Sequence, residues 1–125
     1  MAIFGIGIDI IEVERVKQAI ERSENFKKRV FSAEEIALCD KKPKPYQSYA
    51  ARFAAKEAVF KGMGTGWIDG MAWTDISIIN DDDNKPVVQV FNKVKEFFAE
   101  NKIKVVQISL THLKDIAQAF IILEQ

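Results

Sequence analysis

The sequence predicts an α+β fold, with a mainly antiparallel sheet packed around one central Ala-rich helix. Three observations carry that expectation. Helical spacing of apolar residues gathers in the first half of the chain, and strand-like runs gather in the second. The longest helical signal, residues 46–61, is apolar around most of its circumference, so it must be covered on several sides.

Taken in order, residues 3–11 predict a mostly buried strand whose single charge is Asp9. Residues 12–22 predict a helix, with Val13, Val16 and Ile20 at helical spacing. Ser32-Ala33-Glu34-Glu35 is a capping box that opens a short helix through Cys39. Lys41-Lys42-Pro43-Lys44-Pro45 is a basic loop, because the prolines block regular structure. The Ala-rich helix follows and is ended by Gly62, Gly64 and Gly66. Residues 73–79 and 86–91 predict a hairpin turning at Asp81-Asp82-Asp83-Asn84. Residues 92–101 predict an amphipathic helix on Val94, Phe97 and Phe98. Residues 105–110 and 117–123 predict two more strands, joined by Thr111-His112-Leu113-Lys114-Asp115. There is no internal repeat and no low-complexity segment.

The 125 residues suit one domain, residues 1–125, and 48% hydrophobic with 29% charged residues suits a folded, soluble chain. The formal net charge is zero but unevenly spread. Residues 15–29 and 41–61 are basic, whereas Asp69, Asp75, Asp81, Asp82 and Asp83 fall in a stretch with no base. Such polarity predicts a positive face for phosphates or an acidic protein, although a solvated mixed surface has the same composition. The single Cys39 leaves no intrachain disulfide and fits a reducing, cytoplasmic setting. No signal-peptide pattern is visible, and no apolar run approaches the ~18 residues of a membrane span. Neither a membrane nor a nucleic acid is an expected partner.

Two segments carry chemistry. Asp9 lies in Gly5-Ile6-Gly7-Ile8-Asp9, on the strand face that also bears Gly5, Gly7 and Ile11. A charge in an apolar strand is costly unless paired; a helix cap, an arginine or a metal would each serve. Glu57 and Lys61 share one face of the long helix. That spacing is also an ordinary helix ion pair worth only ~0.2–0.5 kcal/mol. Yet Phe53, Ala54, Ala58 and Phe60 around them suit a core helix. Two carboxylates in apolar elements point to a shared divalent cation. The glycines of Gly62-Met63-Gly64-Thr65-Gly66 follow the helix, so this is no Walker A loop. A cap at Gly62 explains one glycine; three alternating ones also allow backbone N–H groups to approach a phosphate or ribose. His112, the only histidine, cannot build a zinc site with Cys39 alone. Asp81 to Asp83 lacks the glycine and closing glutamate of a calcium loop, and reads as a turn.

The runs Gly5-Ile6-Gly7-Ile8-Asp9-Ile10-Ile11-Glu12-Val13-Glu14-Arg15 and Arg52-Phe53-Ala54-Ala55-Lys56-Glu57-Ala58-Val59-Phe60-Lys61-Gly62 closely resemble the two signatures of the holo-[acyl-carrier-protein] synthases. These are the short, single-domain 4'-phosphopantetheinyl transferases. Gly64-Thr65-Gly66 and Ser109-Leu110-Thr111-His112 resemble two further family segments. Thr111 replaces the usual serine, and Asn84 stands where glycine is common; each keeps the needed property, a hydroxyl and a tolerance of positive φ. The resemblance implies transfer of the phosphopantetheine arm of coenzyme A to a serine of apo acyl carrier protein. It implies Asp9 and Glu57 as Mg²⁺ ligands, Glu57 as base directly or through water, and Lys61 on the phosphate. Lys44, Gly64, Thr65, Gly66 and His112 would hold the nucleotide end. Arg15 and Arg22, seven apart on one helix face, would dock the acidic carrier, a contact that salt weakens. It also implies a homotrimer with sites between subunits and a place in fatty acid biosynthesis. A non-catalytic module binding coenzyme A or the carrier on the same scaffold is the alternative, and a phosphate-binding oligomeric domain is a third.

Overall fold

A computed structural model describes residues 2–66 and 70–125; Asp69, counted above in the acidic stretch, lies outside them. The elements are β1 (Ile3–Glu12), α1 (Val13–Arg22), α2 (Glu24–Val30), α3 (Ala33–Asp40) and α4 (Pro45–Met63). After a 3-10 turn at Trp73–Asp75 come β2 (Ile76–Asn80), β3 (Pro86–Val90), α5 (Asn92–Glu100), β4 (Val105–His112) and β5 (Ile116–Glu124). The fold is α+β, as expected. One antiparallel sheet has the order β1-β5-β4, and the β2-β3 hairpin forms a second.

Helix α4 is the centre of the molecule. Ala54, Ala55, Ala58 and Val59 are fully buried in one core with Ala119, Ile121 and Leu123 of β5, Ile76 and Ile78 of β2, and Val94 of α5. Earlier in the same helix, Tyr49 and Ala50 join a second core with Val13, Val16, Val30, Phe31 and Cys39. Pro45 opens α4 at a position where a missing N–H costs nothing. Against β1 the packing is backbone to backbone. A Cβ on Gly7 would lie 1.8 Å from the Ala58 carbonyl oxygen, and one on Gly5 2.0 Å from that of Gly62. Only glycine allows this approach, and it brings the strand bearing Asp9 against the helix bearing Glu57 and Lys61.

The structure corrects the sequence reading at five places. Helix α2, with Ser23 capping Phe26 N–H, was not expected. Gly62 does not end α4 but lies buried inside it; Gly64, at φ 80°, is the left-handed cap, its N–H donating to the Lys61 carbonyl. Trp73 to Asp75 is a helical turn rather than the start of a strand. His112 closes strand β4 instead of sitting in a loop. Finally, β1 is not mostly buried: Gly5, Gly7, Asp9 and Ile11 face α4, whereas Ile6 (61%), Ile8 (51%) and Ile10 (61%) are exposed on the outer face. The turn at Asp81 is as expected, its carboxylate accepting from the N–H groups of Asp83 and Lys85, with Asn84 at φ 63°.

Candidate active site

Asp9, Glu57 and Lys61 come together where β1 crosses α4. Lys61 does not form the helix ion pair with Glu57. Its Nζ reaches across to Asp9 Oδ1 at 2.9 Å and donates to the Ile8 carbonyl at 3.0 Å. Asp9 is largely covered and Lys61 about half exposed, so this pair opens to solvent on one side. Glu57 is half-buried, and among the described residues no hydrogen bond or ion pair holds its carboxylate. Burial raises its pKa above the usual carboxylate range, and the nearby Asp9 charge raises it further, while Lys61 opposes both. Two carboxylates are thus close enough to repel, with one ammonium between solvent and Asp9.

The donor set fits a hard divalent cation. It is all oxygen, it carries more negative charge than Lys61 neutralises, and one of its carboxylates lacks any protein partner. Two protein ligands are few for calcium but usual for Mg²⁺, which keeps waters and phosphate oxygens as its other ligands. Among the described residues no group of three or more His, Cys, Asp or Glu side chains could hold a metal.

A cleft of about 750 Å³ lies at the other end of α4. Lys42, Lys44 and Arg52 give it positive charge, and Asn84, Ser109 and His112 add polar groups from the β2-β3 hairpin and β4. The structure therefore brings Lys44 and His112 together. Gly64, Thr65 and Gly66 are exposed beyond the helix C-terminus and do not line this cleft. Arg15 and Arg22 are both exposed on α1, as docking residues must be. Sequence reasoning missed Lys42 and Arg52 as cleft residues. It also missed the fully buried pair of Lys56 Nζ and Glu35 Oε1, 2.8 Å apart. The signal was available, since Arg52 and Lys56 are also charges on a helix that is otherwise apolar.

Comparison with known proteins shows the family. Residues 5–120 match the family model of the 4'-phosphopantetheinyl transferase superfamily. The chain is 45% identical to the holo-[acyl-carrier-protein] synthase of Clostridium tetani, over 98% of this chain and 96% of the relative. Among solved structures, the holo-[acyl-carrier-protein] synthase of Neisseria meningitidis superposes with a TM-score of 0.90 at 30% identity, covering 99% of this chain and all of that one. The Helicobacter pylori enzyme, solved in complex with coenzyme A, gives 0.83 at 30% identity, covering 95% and 99%. The chain belongs to the 4'-phosphopantetheinyl transferase superfamily and, within it, to the holo-[acyl-carrier-protein] synthases. It is an enzyme, a phosphopantetheinyl transferase.

Proposed function

We propose that this single-domain chain transfers the 4'-phosphopantetheine arm of coenzyme A to a serine hydroxyl of apo acyl carrier protein. The observation that carries this reading is the side chain of Lys61, which leaves its helix neighbour Glu57 and reaches Asp9 on β1. A mere helix pair would not do so, and the outcome is two carboxylates and an ammonium on one surface. The serine oxygen attacks the pyrophosphate phosphorus next to pantetheine, the bond to the bridging oxygen breaks, and adenosine 3',5'-bisphosphate leaves. Glu57, directly or through one water, takes the serine proton. Lys61 stabilises charge on the phosphates as it develops. Asp9 and Glu57 would hold Mg²⁺, which when bound neutralises the pyrophosphate.

Lys44 and His112 bind the nucleotide end in the cleft, with Lys42 and Arg52 beside them. Gly64, Thr65 and Gly66 serve the same substrate from a neighbouring copy in a homotrimer with sites between subunits. The exposed apolar face of β1, with Phe120 of β5 beside it, supports such assembly. Arg15 and Arg22 dock the acidic carrier, and the product serves fatty acid biosynthesis in the cytoplasm. The test is mass spectrometry of a competent apo carrier incubated with the protein, coenzyme A and Mg²⁺. A gain of one phosphopantetheinyl arm is expected. Binding of both substrates with no gain would leave only a non-catalytic module.

A further inference from the structure

Helix α4 carries a second charged assembly that the transfer itself does not use. The Lys56 ammonium is fully buried, 2.8 Å from Glu35 Oε1. It also donates to the carbonyls of Trp73, at 3.0 Å, and Ile76. An ammonium has three N–H groups, and here all three are taken, by α3, the 3-10 turn and the start of β2. Glu35 is held as firmly. Its Oε1 accepts from Ser32 N–H at 2.9 Å, closing the capping box of α3, and its Oε2 accepts from Ile78 N–H at 2.9 Å. One turn earlier on α4, Arg52 Nε donates to the Ile78 carbonyl at 3.0 Å.

Stability alone does not account for such a pair, because well-packed apolar residues commonly do as well or better in the same volume. What the pair supplies is direction. On the β1 side α4 is held by close glycine-to-carbonyl contacts and, one turn beyond Glu57, by the bonds of Lys61 to Asp9 and the Ile8 carbonyl. On the other side Lys56 pins it at three points. Glu57, the next residue, has no tether of its own among the described residues, so its carboxylate goes where the helix backbone takes it.

We propose that Lys56, with Glu35, is a positioning residue for the transfer. Its pinned ammonium fixes the rotation of α4 and thereby aims the Glu57 carboxylate at Asp9 and the incoming serine. The inference rests on Glu57 being the base of the proposed reaction.

The test compares steady-state kinetics of Lys56→Met and Glu35→Gln with the wild type, each well below its own melting temperature. Val94→Ala serves as a stability control, since Val94 is fully buried but sits on α5, which supplies no site or cleft residue. Misaiming by a fraction of an ångström to one ångström predicts a fall in kcat of roughly 10- to 100-fold, with the KM for coenzyme A and for the carrier unchanged. The control should lose melting temperature and keep kcat. A folded Lys56→Met with wild-type kcat would overturn the proposal, as would a control that loses kcat equally. Should Lys56→Met not fold, Glu35→Gln carries the same expectation; if neither folds, the pair is a folding element and the proposal fails. An inactive wild type would sink the reading of Glu57 first, so the two failures are told apart.

Discussion

Lys61 pairs with Asp9 on β1 rather than with Glu57 one helical turn away, so it is more than an ordinary helix ion pair. Asp9 and Glu57 were legible in the sequence by one argument: a charge inside an apolar element needs a reason. The same argument applied to Arg52 and Lys56 would have exposed the second assembly. The capping box of α3 already accounts for Glu35 in the sequence, whereas its carboxylate serves both the cap and Lys56. The raised pKa of Glu57 gives a test at this scale. The folded state holds the Glu57 proton more tightly than the unfolded chain does. Stability is therefore lost as pH rises from the ordinary glutamate range through the raised value, and the loss is complete above it. Without metal, Glu57→Gln should be more stable than wild type above neutrality, by less than about 1 kcal/mol because solvent still screens this half-buried group. The difference should vanish in acid. Denaturant melts in chelator across pH would measure it, and equal stability above neutrality would contradict the electrostatic picture.

Among elements, α4 decides most. Its burial was legible from alanine content and from apolar residues all round, and the structure extends it only to Pro45–Met63. Helix α2 was not legible. It has seven residues, and Lys27, Lys28 and Arg29 dominate it as a charge run. What stabilises so short a helix is the burial of Val30, with Phe31 just after it, in the second core, and spacing along a sequence cannot show that. The contact of α4 with β1 predicts a sharp response to Gly7→Ala. The new methyl would overlap the Ala58 carbonyl oxygen and must push strand and helix apart. A loss of about 3 kcal/mol is expected from overpacking of this kind. Turnover should fall beyond what stability explains, since Asp9 and Lys61 move with the two elements. A crystal structure or melt showing no change would contradict the packing described here.

For the molecule as a whole, the outer face of β1 matters most. The run from Ile6 to Ile10 reads as buried because residues on both faces of β1 are apolar apart from Asp9, yet a single chain covers only the face toward α4. That exposed row is what the proposed trimer would cover. Light scattering should find particles of roughly three times 14.2 kDa, and Ile10→Glu should dissociate them while leaving circular dichroism unchanged. A wild-type monomer would remove the trimer from the proposal. If the proposed trimer forms, the same outer face makes subunit concentration matter in its own right. A newly synthesised copy with no companions presents a row of isoleucines to any passing apolar surface, so chains made too sparsely to meet each other would be lost to clumping or degradation. Survival of the chain, as well as its activity, would then depend on how fast copies find one another.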